Sequence, residues 1–117
     1  MSERHVYDFN SALGLRLADD GETVELEAKA PDHQIGNGMV HLAVLTTIGE
    51  VAAAHAVGTA VVPSTLTANF LRPAPLGLLR AKGRVLSRGR RLCTAEGEVT
   101  AGDRLVAKVT VTFAIVA

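Results

Sequence analysis

Glu50 is the residue of this sequence whose setting most suggests chemistry. Between His33 and Leu71 it is the only Asp, Glu, Lys or Arg, and residues 36–58 around it otherwise have the composition of a buried helix. A carboxyl group among apolar neighbours either reaches solvent or has a perturbed pKa, and perturbed carboxyls are common at catalytic sites. We therefore expect Glu50 to be functional. The alternative is a solvated helix residue or one that makes a structural hydrogen bond.

The histidines are the other candidates for proton transfer or ligand binding. His41 lies nine residues before Glu50, so in a straight helix the two side chains would lie on opposite sides and could not form a pair. His41 is then either a cap that orients the helix start or a group that contacts a ligand. His55 falls on the apolar side of the helix, which favours a hydrogen-bonded core or interface histidine. The histidines are too scattered for a metal site, and we expect neither metal nor cofactor.

The element that carries Glu50 is predicted to be a helix within residues 36–58. Apolar residues recur at helical spacing, and Gly58 is predicted to be the C-terminal cap. Gly49 is unfavourable inside a helix by about 1 kcal/mol relative to Ala, which suggests that another backbone approaches it closely. The apolar stripe consists of Leu45, Ile48, Ala52 and His55, with Val44 and Val51 beside it.

The rest of the chain mostly has the pattern of strands. Residues 22–29 alternate strictly between apolar and polar, and the pattern is again two-fold after Pro63. Short turns between the last four strands predict an antiparallel meander packed on the helix, and hence an α+β fold. Because the helix is apolar on most sides, we expect two protomers to complete its burial. The expected elements are a short helix or turn over 5–15 anchored by Tyr7, Phe9, Leu13 and Leu15, a loop over 31–38, and strands over 22–29, 64–71, 78–86, 91–100 and 105–115.

Length and composition bound the class of protein. With 117 residues, 48% of them hydrophobic, the chain is long enough for one domain, expected over residues 1–117, and too short for two. The formal net charge of zero gives no overall attraction to nucleic acid or to a membrane surface. The single cysteine, Cys93, excludes an internal disulfide and is expected to be inert. We recognise no signal peptide or membrane span and expect a cytoplasmic protein.

The charged residues are unevenly distributed along the chain. Seven of the twelve Lys and Arg residues lie between Arg72 and Arg91, and no Asp or Glu occurs from Val51 to Ala95. Such a pattern is typical either of a solvated basic strand or of a site for an anionic group such as phosphate.

Several local motifs resemble those of one known family. Gly38-Met-Val-His41, with an acid nine residues after the histidine, resembles the Gly-x-x-His-Gly-Gly stretch of the small hotdog-fold acyl-CoA thioesterases of the phenylacetate-pathway (PaaI) type. Residues 65–77, 83–90 and 103–107 also match that family's pattern, and the likeness spans residues 9–116. The resemblance implies a hotdog fold, in which an antiparallel β-sheet wraps around one long central α-helix.

The resemblance also implies an activity and a site. In that family the helix acid, here Glu50, is the base or nucleophile of thioester hydrolysis, and a backbone N–H after the histidine, here that of Leu42, polarises the thioester carbonyl. The acid of one protomer faces the helix start of the other. We therefore expect an acyl-CoA substrate and a homodimer or a dimer-of-dimers tetramer. The candidate catalytic residues are Glu50, His41 and Leu42, and the candidate substrate-binding residues are Asn37, Gly38, Thr67, Arg72, Arg88 and Arg90, with the arginines and Arg91 as partners of the CoA phosphates.

Two departures from the family pattern leave other functions open. Leu42-Ala43 replaces the usual Gly-Gly pair, and Ile35 stands where an Asn is typical. A backbone donor does not require glycine, but the Leu42 side chain would narrow the pocket. The alternatives are a non-catalytic hotdog protein that binds an acyl thioester or serves as an assembly scaffold, and a dehydratase of the same fold, which couples a histidine with an acid.

Overall fold

The computed structural model describes residues 9–116 of the chain. The elements in chain order are α1 (Phe9–Leu13), β1 (Arg16–Leu17), β2 (Val24–Ala28), β3 (Gln34–Gly36), β4 (Met39–Val40), α2 (Leu42–Val57), β5 (Val61–Phe70), β6 (Gly77–Arg88), β7 (Leu92–Ala101) and β8 (Arg104–Ile115). Six strands form one antiparallel sheet in the order β1-β2-β6-β7-β8-β5, and α2 packs against one face of it. β3 and β4 form a separate two-stranded ribbon. The predicted α+β hotdog fold is thereby confirmed.

The strand order corrects one prediction. The last three strands form the expected meander, but β5 pairs with β8 instead of with its sequence neighbour β6. The connection over residues 71–76 therefore crosses β8 and β7, a distance of about 14 Å at the usual strand spacing. Six residues can span that distance, so the short loop did not require the two strands to be neighbours.

The N-terminal part of the described chain largely follows the predicted pattern. In β2 the side chains of Val24, Leu26 and Ala28 are buried, as their alternation predicted. α1 covers part of the helix or turn predicted over 5–15, and Leu13 and Leu15 pack on the core as predicted. Phe9 is 65% exposed, so its role as an anchor was wrong, and Tyr7 lies outside the described residues. The loop predicted over 31–38 was only partly right, because its second half forms β3 and the turn of the β3–β4 ribbon.

α2 begins and ends at capping residues. His41 is the N-terminal cap, and Gly58 has the left-handed conformation, with φ of 77°, that was predicted for a C-terminal cap. Leu45, Ile48 and Ala52 are buried against the sheet. α2 has 16 residues, and no helix among residues 9–116 is long and apolar enough to cross a membrane.

His55 was predicted to be a core or an interface histidine; the core alternative was wrong, and the interface alternative stays a prediction. Its side chain is exposed, and its Nε2 lies 2.8 Å from the carbonyl oxygen of Gly21. The face of α2 that packs on the sheet contains Gly49, Ala52 and Ala53. Helical geometry places the His55 side chain at the edge of this face. His55 is hydrogen-bonded, as expected, but it is not a core residue.

Three glycines allow the backbone of α2 to lie directly on the sheet. A Cβ atom at Gly83 of β6 would collide with the carbonyl oxygen of Ala52, and one at Gly97 of β7 would collide with that of Gly49. A Cβ at Gly49 would in turn collide with the side chain of Val109. The predicted close approach at Gly49 is thus confirmed, and the approaching elements are β7, through Gly97, and β8, through Val109.

The sheet has an apolar face toward α2 and a charged face away from it. Val109, Val111 and Phe113 of β8 are fully buried beneath the helix. On the other face, the carboxylate of Glu96 is buried by the side chains that pair with it: its Oε2 lies 2.7 Å from Nη2 of Arg84, and its Oε1 lies 3.5 Å from Nζ of Lys108. Arg80 and Lys82 pair likewise with Glu25 and Glu22, so ion pairs on this face involve three of the seven cations between Arg72 and Arg91.

β5 is an edge strand that α2 covers poorly. Leu66 and Phe70 pair in register with Val111 and Ala107 of β8, which face the helix, yet both remain exposed. A ten-residue edge strand with apolar side chains and unpaired backbone groups is a template for pairing with another strand. Within the described residues nothing covers this edge.

Candidate active site at the start of the central helix

His41 leaves one backbone donor free at the start of α2. Its Nδ1 accepts a hydrogen bond from the N–H of Ala43 at 2.9 Å, so the proton of the neutral ring is on Nε2. Its carbonyl oxygen accepts from the N–H of Val44 at 3.0 Å. The N–H of Leu42 has no acceptor among residues 9–116. An unpaired first-turn N–H, with the helix dipole behind it, favours a developing negative charge.

The start of α2 is held by neighbouring segments of the chain. The N–H of His41 donates to the carbonyl of His33 at 2.8 Å, and the N–H of Val40 donates to that of Ala74 at 2.9 Å. The His33 ring accepts at Nδ1 from the N–H of Lys29, at 3.0 Å, and its Nε2 lies 2.9 Å from the carbonyl of Leu13. The buried His33 ring therefore joins Leu13 and Lys29 to the residue whose carbonyl holds the helix start.

Asn37 and Gly38 form the turn of the β3–β4 ribbon. Both have positive φ, 53° and 72°, which confirms the left-handed turn geometry predicted for Asn37. The carbonyl of Gly38 accepts from the N–H of Leu76 at 3.1 Å, which ties the turn to the segment that follows β5. The turn therefore lies beside the loop that carries Arg72, at the same end of α2 as His41.

Glu50 lies on the flank of α2 that faces β8 and β5. Ala53 and Val57, three and seven residues further along the helix, pack in a cluster with Phe113 of β8 and Ala68 of β5. The Glu50 carboxyl is half-buried, and burial raises its pKa above the ordinary value. Among residues 9–116 no side chain or backbone N–H forms a salt bridge or a hydrogen bond with it.

Within a single chain the candidate catalytic groups do not meet. Leu42 and Glu50 are separated by eight residues, which corresponds to about 12 Å along the helix axis. His41 is further away still. One chain therefore presents an unpaired N–H and an unpaired carboxyl on the same helix, at a separation too large for both to contact one thioester carbonyl.

The candidate arginines are divided between the two ends of α2. Nη1 of Arg72 donates to the carbonyl of Leu105 at 2.9 Å, near the helix start. Nη2 of Arg88 donates at 2.6 Å to the carbonyl of Val57, the last residue of α2, roughly 24 Å from the first. Arg90 lies in the exposed β6–β7 turn, and its guanidinium has no partner among residues 9–116. Arg88 thus caps the C-terminus of α2, where a cation interacts favourably with the negative end of the helix dipole.

Thr67 lies on the face of the sheet away from α2. Its neighbour Ala68 packs in the core cluster, so the alternation of β5 directs Thr67 to the opposite side, in register with Thr110. Within one chain Thr67 and Glu50 are on different faces of the sheet.

His33 is the residue of this region that the sequence analysis missed. It was considered only as a metal ligand, whereas its ring fixes the segment before the helix. In the sequence His33 stands between a proline turn and an apolar segment. That position does not indicate which backbone groups its ring binds.

Comparison with known proteins places the fold within a family. A six-stranded antiparallel sheet around one helix defines the hotdog class, and the family model described as Thioesterase superfamily matches residues 37–108, more than half of the chain. The chain therefore belongs to the Thioesterase superfamily. This membership supports hydrolysis of acyl-CoA thioesters as the general activity, as the motifs predicted. A comparison with curated proteins gives no match.

Solved structures agree with this assignment. The chain is 27% identical to a mutant of the phenylacetic acid degradation protein PaaI of Thermus thermophilus, with a TM-score of 0.80, covering 92% of this chain and 98% of that one. It is 28% identical to a phenylacetic acid degradation-related protein of Ralstonia eutropha, with a TM-score of 0.77 and coverage of 91% and 88%. A Bacillus halodurans protein solved with CoA has a TM-score of 0.84, with coverage of 97% and 80%, but at 23% identity it supports the fold alone.

Proposed function

We propose that the protein hydrolyses an acyl-CoA thioester at a site formed between two copies of the chain. The observation that carries the proposal is the pair of unsatisfied groups on α2, the Leu42 N–H and the Glu50 carboxyl, which are too far apart to act together in one protomer. A second copy that supplies the missing group would complete the site.

The β5 edge supports this two-chain arrangement. If the β5 strands of two copies pair, the sheets become continuous and the exposed side chain of Leu66 is covered. The flank of α2 that carries Glu50 faces this edge. Pairing there would bring Glu50 of one copy toward the helix start of the other, and a two-fold axis would create two equivalent sites.

The chemistry assigned to these groups is hydrolysis through a tetrahedral intermediate. The Leu42 N–H donates to the carbonyl oxygen and stabilises its developing charge. Glu50 removes a proton from a water molecule, which adds to the carbonyl carbon; the intermediate then expels the CoA thiolate, which takes up the proton from Glu50. Direct attack by the carboxylate is the alternative route to the same products. The raised pKa of Glu50 makes it a stronger base than an exposed carboxylate.

The phosphates of CoA are assigned to exposed arginines. Arg72 lies near the helix start, and Arg90 and Arg91 have guanidinium groups without partners among the described residues. Arg72 and Arg88 each already donate to a backbone carbonyl, that of Leu105 and that of Val57, and would bind a phosphate through their remaining N–H groups. Asn37 and Gly38 lie at the helix-start end and can border the same cleft.

A non-catalytic acyl-thioester binder is the second candidate. The observation that favours it is the exposed Leu42 side chain, which stands at the helix start where the motif that this sequence resembles has glycine. If this side chain blocks the approach of water, acyl-CoA would bind without being cleaved.

Replacement of Glu50 tests the proposal. Glu50→Gln should lower kcat by about 10²–10⁴-fold, the usual effect of losing a general base, while the oligomer persists. The measurement is release of free CoA with a thiol reagent, to which the buried Cys93 contributes little background. Glu27→Gln, at an exposed acid of β2, is the matched control. Full turnover by Glu50→Gln would remove Glu50 from the mechanism, and acyl-CoA binding without turnover by the unaltered protein would favour the binder.

A further inference from the structure

An apolar groove begins at the residue whose N–H is assigned to the thioester carbonyl. It has a volume of about 440 Å³, within the range of small-ligand pockets. Four of its lining side chains are exposed large apolar residues: Ile35 (61% exposed), Leu42 (52%), Phe70 (43%) and Leu71 (52%). Single exposed apolar residues are ordinary, but four around one groove are not.

The described residues that line the groove are nine apolar residues and one cation, Arg72. Nη1 of Arg72 donates to the Leu105 carbonyl, and no acid is among these lining residues. A charged occupant would lose hydration along nine of the ten lining residues, whereas a hydrocarbon group would not. The chemistry of the lining matches an uncharged hydrocarbon group.

We infer that this groove holds the acyl group of the substrate, that the acyl group is uncharged and apolar, and that the Leu42 side chain restricts bulk at the carbon next to the carbonyl. The inference rests on the proposed function, because Leu42 would donate its N–H to the carbonyl oxygen. The group bonded to that carbonyl must then pass beside the side chain of the same residue, which lines the groove. Leu42 is thus a specificity-determining residue through its side chain and a donor through its backbone.

The groove is fixed by the segments that build the helix start. Val40, in its floor, donates its N–H to the carbonyl of Ala74, another lining residue. Met39 forms an antiparallel β-bridge with Pro75, between the same two segments. Because both walls are joined by backbone hydrogen bonds, the width beside Leu42 is set by side-chain size, and a smaller residue there should enlarge the groove.

The test compares acyl groups of similar size that differ in bulk beside the carbonyl. We expect the unaltered protein to turn over hexanoyl-CoA with a higher kcat/KM than cyclohexanecarbonyl-CoA, and glutaryl-CoA about 100-fold less efficiently than either. Leu42→Ala keeps the backbone N–H and should raise the ratio of cyclohexanecarbonyl-CoA to hexanoyl-CoA kcat/KM by about 10-fold or more. Leu78→Ala, at an exposed leucine outside the groove, should leave that ratio unchanged.

A second variant at another wall of the groove makes the result decisive. Phe70→Ala, at another wall of the groove, should change the ratio of octanoyl-CoA to acetyl-CoA kcat/KM by about 10-fold. Active Leu42→Ala and Phe70→Ala with ratios within about twofold of the unaltered protein would overturn the inference, as would a preference for glutaryl-CoA over hexanoyl-CoA. If either variant loses the dimer while its kcat/KM ratio stays unchanged, the groove would be a contact surface for the partner chain. That result would also overturn the inference.

Failure of the proposed function would give a different result. If the unaltered protein hydrolyses none of these substrates, the affinities of uncleavable S-hexyl-CoA and S-cyclohexyl-CoA thioethers are measured by calorimetry. A tenfold change in their ratio in Leu42→Ala would retain the groove as the acyl site without catalysis. No change in that ratio would reject the groove as well.

Discussion

The two flanks of α2 differ in how completely the chain covers them. Toward β6, the helix backbone lies directly on the sheet at Gly83, and Ile48 and Ala52 are almost fully buried. Toward β5, the half-buried carboxyl of Glu50 has no partner among the described residues, and Leu66 of β5 remains exposed. The closed flank provides packing within one chain. The open flank carries the candidate catalytic group and the edge strand on which a second copy could pair.

This difference indicates where stability and function reside. Substitutions on the closed flank should reduce the free energy of unfolding, because the side chains and backbone there are close-packed. Substitutions on the open flank should mainly change association and turnover. The predictions below test this separation.

The largest effect is expected on the closed side, at the contact of α2 with β7. Gly97→Ala would place a Cβ against the Gly49 carbonyl oxygen, and neither backbone can move away without separating helix and sheet. We expect a loss of more than about 3 kcal/mol in the free energy of unfolding, measured by urea denaturation. Gly21→Ala is the control: its Cβ would meet nothing within 4 Å, and its φ of 73° should cost about 1–2 kcal/mol. Equal losses for the two variants would contradict the close helix–sheet contact.

The next effect concerns association through β5. Leu66→Asp places a charge on the exposed edge strand, and if β5 pairs two copies the variant should sediment as a monomer. Each helix start would then lack the partner's carboxyl, and turnover should fall by about 10²-fold or more. Leu86→Asp, at an exposed leucine of β6, should keep both dimer and activity. A fully active Leu66→Asp monomer would contradict a site shared between chains.

A smaller effect is expected at the helix cap. His41→Ala removes the acceptor for the Ala43 N–H and should cost about 1 kcal/mol of stability. Asn is a good N-terminal cap, so His41→Asn should restore the unfolding midpoint. If His41 serves only to hold the helix start, His41→Asn should also restore kcat. Restored stability with a persistently reduced kcat would instead assign a direct substrate contact to the imidazole.

The sequence predicted what local periodicity and capping determine. The helix around Glu50, its cap at Gly58, the turn at Asn37 and the alternation of β2 all depend on residues within a few positions of each other. The close approach at Gly49 could also be anticipated, because glycine inside a helix needs a reason. The family motifs added the hotdog fold, which periodicity alone did not specify.

The features that the sequence did not predict all depend on distant partners. β5 pairs with β8, the last strand of the chain, and no local pattern distinguishes that partner from β6. The His33 ring joins backbone groups of Leu13 and Lys29, and Arg88 binds the carbonyl of Val57, through contacts that the fold alone creates. For the candidate site, the sequence therefore identified the chemical groups more readily than their surroundings.

The smallest expected effect separates the stability of the open flank from its function. Burial disfavours the ionised form of Glu50 in the folded chain, so its folded pKa lies above its unfolded value. Above the raised pKa the carboxylate is charged in both states and burial destabilises the fold; below the unfolded value it is neutral in both, and the penalty disappears. Glu50→Gln should therefore increase the free energy of unfolding at neutral pH and lose that advantage as the pH falls through the raised pKa.

The size of this gain should be below about 1 kcal/mol, because solvent still screens a half-buried side chain. Urea denaturation of the unaltered protein and Glu50→Gln across the acid range measures it, and subtracting the difference seen for Glu27→Gln removes the effect of changing the net charge. A variant that gains stability at neutral pH while losing turnover would mark Glu50 as a group retained for chemistry at the expense of stability. A Glu50→Gln chain that is less stable at neutral pH would instead indicate that the carboxylate has a structural partner, and the contrast between the two flanks of α2 would then lose its functional meaning.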